Sequence, residues 1–199
     1  MDMQHAYYYY NKEELLKAPK IPLVVMADNS TVFRAMAEEM LEEIKRKNVQ
    51  GEKTVLICPV GPVGQYPFFT EMVNEQNVSL KNVWFINMDE YLTDDRKWIP
   101  KEHSLSFRGF MDRQVYRNIR PELVMPEEQR IFPDPENPGR IQELIDRLGG
   151  ISALAESASM DMWHLTKPGM TSVRRNFAAF PQGYWKSPGK PGWQMPSVI

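Results

Sequence analysis

The sequence predicts an α/β fold: a doubly wound parallel sheet, incomplete in its C-terminal half. Two observations carry that prediction. Runs such as Thr54 to Cys58 (TVLIC) and Val83 to Ile86 (VWFI) are apolar throughout. Strands of that kind need cover on both faces, as in a parallel sheet wrapped by helices. Between and after them stand segments whose apolar residues recur at helical spacing, so strand and helix alternate.

Ile21 to Met26 (IPLVVM) is a short apolar, β-rich run and reads as the first strand. Ala27-Asp28-Asn29-Ser30 follows, rich in helix-capping residues. From Thr31, Phe33, Met36, Ala37, Met40, Leu41 and Ile44 fall on one helical face and Glu38, Glu39, Glu42, Glu43 and Lys45 on the other. That helix should end near Asn48 to Gly51. Tyr66 to Glu75 forms the next helix, with Pro67 tolerated in its first turn. A loop from Asn87 to Lys101 precedes a helix from Ser104 to about Asn118, and Pro138 to Leu148 forms another. The order β-α-β-α-β-α, closed by right-handed crossovers, places ligands beyond the carboxyl ends of the strands. Asp28 to Ser30, Pro59 to Gly64 and Asn87 to Tyr91 all fall there.

The chain divides into an arm at 1–20, an α/β domain at 21–150 and an irregular tail at 151–199. The arm holds Tyr7-Tyr8-Tyr9-Tyr10, read as an amphipathic stretch laid on the surface or on a partner subunit. It has neither the basic flank nor the apolar core of a secretory signal, and no apolar run approaches the ~20 residues of a membrane helix. A cytoplasmic protein with no membrane partner is the expectation. Lys+Arg number 24 against Asp+Glu 26, so there is no basic footprint for nucleic acid. One cysteine, Cys58, excludes an intrachain disulfide and a cysteine metal cluster. It reads as a small buried residue at a strand end. No metal or cofactor is implied.

Two segments carry chemistry. Pro59-Val60-Gly61-Pro62-Val63-Gly64 lies between a buried strand and a helix. Glycines let a backbone approach an anion, and a helix N-terminus favours negative charge. Gly61, Pro62, Val63 and Gly64 are therefore candidate phosphate-binding residues, although such residues also make ordinary strand-to-helix turns. Asn87-Met88-Asp89-Glu90-Tyr91 ends a strand apolar on both faces. Asp89 and Glu90 are candidate catalytic acids, since desolvation at the crevice raises a carboxylate's pKa toward that of a usable base. A helix cap or a salt-bridged loop acid is the other reading of the same pair. His103 reads as a capping or surface histidine.

Asn87-Met88-Asp89-Glu90-Tyr91, followed by Pro100-Lys101-Glu102-His103-Ser104-Leu105-Ser106-Phe107, resembles the signature of the glucosamine-6-phosphate deaminase (isomerase) family. The resemblance spans roughly residues 21–150. It implies a Rossmann-like fold, conversion of glucosamine 6-phosphate to fructose 6-phosphate with release of ammonia, and Asp89 as the base that moves a proton between sugar carbons 1 and 2. The partners it implies are a small-molecule sugar phosphate and, as a candidate, further copies of the same chain. Two departures stand out. The glycine turn lacks the family's hydroxyl residue and is shorter, and Phe107 stands where the family has tyrosine.

The family's second motif, which reads like GGxGxDGHxAFNEP, should follow Gly149-Gly150 and is missing. Met160-Asp161-Met162-Trp163-His164 must be encoded ATG-GAY-ATG-TGG-CAY. Regrouped one base earlier, these bases read (D/N)-G-H-V-A within the permitted alternatives, with Gly, Val and Ala forced. Extension with allowed codons gives CFGGIGI(D/N)GHVAFNE. Asn176 to Tyr184 (NFAAFPQGY) regroups to EFRSLPTRV. The coding frame is therefore expected to slip between Ile151 and Leu154, leaving a chain truncated in function and impaired in activity. His164 then does not correspond to the family's ring-opening histidine. The slip should also cost the sheet its later strands and leave an exposed edge. Two other functions fit the fold: a non-catalytic sugar-phosphate-binding protein and a phosphogluconolactonase-like hydrolase. The NMDEY motif argues against the hydrolase.

Overall fold

A computed structural model describes residues 11–17, 24–61, 63–148 and 152–153. The tyrosine run, residues 21–23 of the first expected strand, Pro62 and the tail from 154 lie outside the described residues.

The elements run α1 (Lys12–Lys17), α2 (Asn29–Gln50), β1 (Thr54–Cys58), α3 (Gln65–Glu75), β2 (Val83–Asn87), α4 (Phe107–Gln114), β3 (Arg130–Ile131), α5 (Arg140–Leu148) and β4 (Ser152–Ala153). Short 3₁₀ turns occupy Tyr116–Asn118 and Glu127–Gln129. The four strands form a parallel sheet in the order β3-β2-β1-β4. β1 and β2 pair along their full length, from Thr54 with Val83 to Cys58 with Asn87.

Alternation along the two central strands feeds two apolar layers, as the uninterrupted apolar runs require. Leu56, Cys58, Val83 and Phe85 join the larger core with α2, α3 and α4. Val55 and Ile86 face the other way and pack with Ile131 and with Leu144 of α5. Both faces of the sheet thus carry helices.

α2 starts as its sequence dictates. The Asp28 side chain caps it, accepting from the Thr31 N–H (2.7 Å) and hydroxyl (2.9 Å). Gly51, in the left-handed conformation (φ 70°), ends it. Asp28 is thereby a helix cap, not a third ligand-edge group.

Two expectations are corrected. Val24–Met26, the described part of the first expected strand, forms no strand, and Val24 and Val25 are 74% and 49% exposed. A strand needs a backbone partner, and none of the four strands offers one to this segment. The fourth helix begins at Phe107, not Ser104, and breaks at Val115 into the 3₁₀ turn. Its start is set from outside the helix, by Glu90. The expected loose edge is partly covered, because β4 pairs with Leu56 and Ile57 of β1.

Phe85 is fully buried, with its ring centroid 5.9 Å from Phe69 and 6.4 Å from Tyr116. Phe85→Ala should cost about 3–5 kcal/mol, read as a fall in the denaturant midpoint. An unchanged midpoint would contradict this packing.

Candidate active site

β1 and β2 end side by side. The last paired residues are Cys58 and Asn87, and the Met88 N–H donates to the Cys58 carbonyl (3.2 Å). The glycine turn after β1 and the acidic loop after β2 therefore leave neighbouring strands at the same carboxyl edge. This is where a parallel α/β sheet binds its ligands.

The turn is pinned from both ends. Tyr66, buried in the first turn of α3, donates its hydroxyl to the Pro59 carbonyl. Its N–H bonds to the Val63 carbonyl (3.2 Å). Gly61 has a φ of 147°, a conformation open to glycine and strained for other residues. Gly64 is needed for a different reason: a Cβ there would lie 2.2 Å from the Phe33 ring of α2. Cys58 lies beneath the turn, and burial pushes its thiol far above the ordinary range. It is an inert packing residue. Within α3's first turn Pro67 has no N–H and the Tyr66 N–H is taken, so an anion here would rely on the backbone of 61–65.

The structure separates the two candidate acids. Glu90 is fully buried, and its oxygens accept from the N–H groups of Tyr91 (2.9 Å), Phe107 (3.0 Å) and Arg108 (2.8 Å), the Ser106 hydroxyl (3.2 Å) and Arg108 Nε (3.0 Å). Phe107 and Arg108 are the first two residues of α4, so Glu90 caps a helix in another part of the chain. The open N–H groups and helix dipole there favour an anion. Ser106 completes the cap by accepting from the Gly109 N–H (3.1 Å). This external cap is why α4 starts at Phe107. With its oxygens so occupied, Glu90 matches the capping, salt-bridged reading of the acidic pair and is not placed to exchange protons with a substrate.

Asp89 is different. It is half-buried, and among the described residues no group hydrogen-bonds to its carboxyl. Burial, and then the Glu90 charge, raises its pKa from 3.8 to about 6. It can thus hold or release a proton near neutral pH.

The rest of the loop is ordered around this pair. Leu92 and Trp98 form an antiparallel bridge, and the Ile99 N–H donates to the Tyr91 carbonyl (3.2 Å). The segment expected as plain loop thus contains a small hairpin. Phe107 packs edge-on against Tyr91 at 5.1 Å. His103 is exposed and accepts the Leu105 N–H at Nδ1 (3.2 Å), the surface role read from its sequence position. An open cleft of about 600 Å³ lies nearby, lined by Trp98, Arg108, Asp134 and Pro135 among others. Neither Asp89 nor the glycine turn lines it, so it is not the crevice at the strand ends.

Sequence reasoning missed Arg108 and Trp98. Nothing in local periodicity links them to residue 90, because the contacts that involve them are tertiary. Among the described residues no cluster of His, Cys, Asp or Glu could hold a metal ion, and no helix is long and apolar enough to cross a membrane.

Fold and site together define a parallel α/β domain with a tuned acid and a glycine turn at one sheet edge. Over its matched segment the chain is similar in sequence to glucosamine-6-phosphate deaminases. It is 33% identical over 113 residues to that enzyme from Bacteroides fragilis, covering 55% of this chain and 39% of the relative. For the enzyme of Bacteroides thetaiotaomicron the values are 34% over 100 residues, 49% and 35%. For that of Caenorhabditis elegans they are 28% over 99 residues, 49% and 35%. The chain thus spans under two fifths of the length of these curated relatives in each alignment. A solved monomeric glucosamine-6-phosphate deaminase matches the fold with a TM-score of 0.54 at 20% identity, over 66% of this chain and 53% of that one. No family model matches the chain.

The raised pKa of Asp89 has a stability consequence. Between 3.8 and about 6 the folded chain holds a proton that the unfolded chain releases. This contribution is full below 3.8 and is lost as pH rises through about 6. Asp89→Asn should flatten the fall in melting temperature between pH 4 and 7. An identical slope in the variant would contradict the assignment. Glu90→Gln, which leaves Arg108 without its anion, should cost about 3–5 kcal/mol in denaturant unfolding.

Proposed function

We propose that residues 21–150 carry the first half of an aminosugar-phosphate deaminase/isomerase site. Asp89 is the base that moves the proton between sugar carbons 1 and 2, and the backbone of 61–64 holds the phosphate. The observation that supports this most is Asp89: half-buried, raised to about 6, at the carboxyl edge shared with the glycine turn. The substrate is glucosamine 6-phosphate, the products fructose 6-phosphate and ammonia, and the setting the cytoplasm. The three sequence relatives all carry the deaminase name, which favours this reading over the hydrolytic alternative.

Asp89 supplies one proton-transfer group. Ring opening needs a second, at the ring oxygen. In this reading that group belongs to the motif recovered when Met160 to His164 is regrouped by one base. The chain as it stands binds a sugar phosphate weakly and turns it over little or not at all. The frame slip lies between Ile151 and Leu154, just where β4 (Ser152–Ala153) joins the sheet.

Ammonia release from glucosamine 6-phosphate is the test. This chain should fall far below ~1 per second, the low end of enzymatic turnover. A coding sequence restored to the earlier frame after codon 151 should gain activity and lose at least about 100-fold with Asp89→Asn. Turnover by the present chain at an enzymatic rate, or a coding sequence that cannot be regrouped, would refute the impaired-enzyme reading. Clear thermal stabilisation by the sugar phosphate without turnover in either form would favour the binding-protein alternative.

A further inference from the structure

The loop that carries Asp89 is held at both ends, and the holds connect. Upstream, Asn87 Nδ2 donates to the Ile131 carbonyl of β3 (2.9 Å). Downstream, Glu90 is gripped by Arg108 and the start of α4. The Arg108 guanidinium lies 4.4 Å from the centre of the Trp98 ring, and its terminal nitrogen donates to the Ile99 carbonyl. Trp98 Nε1 donates to the Pro133 carbonyl (2.8 Å), two residues beyond the carbonyl that Asn87 holds. These contacts close a ring: Asn87, Ile131 to Pro133, Trp98, Arg108, Glu90. Met88 and Asp89 are the two residues strung across it.

We propose that Trp98 and Arg108 are positioning residues for Asp89, clamping Glu90 and the segment after β3 so that the loop carrying Asp89 stays half-buried at the end of β2. The proposal rests on the reading of Asp89 as the proton-transfer base. From Glu90 to Pro133 the links differ in kind. The ion pair fixes Glu90, and its guanidinium plane is set by a stacked ring. The ring's own orientation is set by a hydrogen bond from an indole to a backbone carbonyl. Trp98 and Arg108 both line the open 600 Å³ cleft, so the clamp can be altered from the solvent side without touching the strand ends. Released from it, residues 88–90 move into water and the desolvation of Asp89 is relieved.

The test is uncharged by design. Glu90, on the same loop, is the charged group that acts on Asp89, and Arg108, on α4, is the one that faces Glu90. Trp98→Ala changes neither. The Asp89 carboxyl carbon is followed by NMR from pH 3 to 8 in the full chain and in Trp98→Ala, alongside the melting temperature. The midpoint should start near 6 and fall by more than one pH unit toward 3.8 in the variant. Trp98→Phe, which keeps the stacked ring and loses the bond to Pro133, should fall by less, and it answers for Trp98→Ala should the alanine variant fail to fold. A lowered melting temperature with the midpoint unmoved in the folded variants would make Trp98 merely structural and overturn the proposal. A midpoint near 3.8 in the parent chain would instead sink the reading of Asp89 itself, and the positioning role with it.

Discussion

The arrangement depends on a buried carboxylate. Glu90 has no access to water, and taking a charge out of water costs several kcal/mol unless it is well paired. Here the opening N–H groups of α4, the Ser106 hydroxyl and Arg108 Nε all converge on it. No single one of them would suffice. The carboxylate in turn decides where α4 begins and how the loop after β2 leaves the sheet. Asp89 inherits its surroundings from that arrangement: it is partly desolvated by the packing and repelled by the neighbour that the packing requires.

Two adjacent acids of the same chemical type thus serve opposite ends. One is saturated with donors and is part of the framework. The other accepts no hydrogen bond among the described residues and responds to pH. The environment distinguishes them, and a sequence cannot, because four of the five hydrogen bonds to Glu90 come from residues 16 to 18 positions away.

What was legible follows the same line. The central strands could be read from uninterrupted apolar runs, α2 from its periodicity and α3 from its place between two strands with Pro67 in the first turn, because these signals are local. The place of Asp89 and the glycine turn at the carboxyl edge could be read because each directly follows a central strand. The described part of the first expected strand, Val24 to Met26, has the composition of a strand but pairs with none of the four strands. β3 and β4 have two residues each, too few for any period to show. The Trp98 and Arg108 clamp was invisible for a third reason: it is made of long-range stacking and side-chain-to-carbonyl bonds, which leave no pattern along the chain.

That the turn and the acid form one binding edge can be tested by NMR of the isotopically labelled chain as glucosamine 6-phosphate is added. The backbone amides of Gly61, Val63 and Gly64 should move together with the amide and carboxyl of Asp89, with a common saturation curve. Movement confined to the cleft around Trp98 and Asp134, with the turn and Asp89 unchanged, would contradict the placement of the sugar phosphate at the sheet edge.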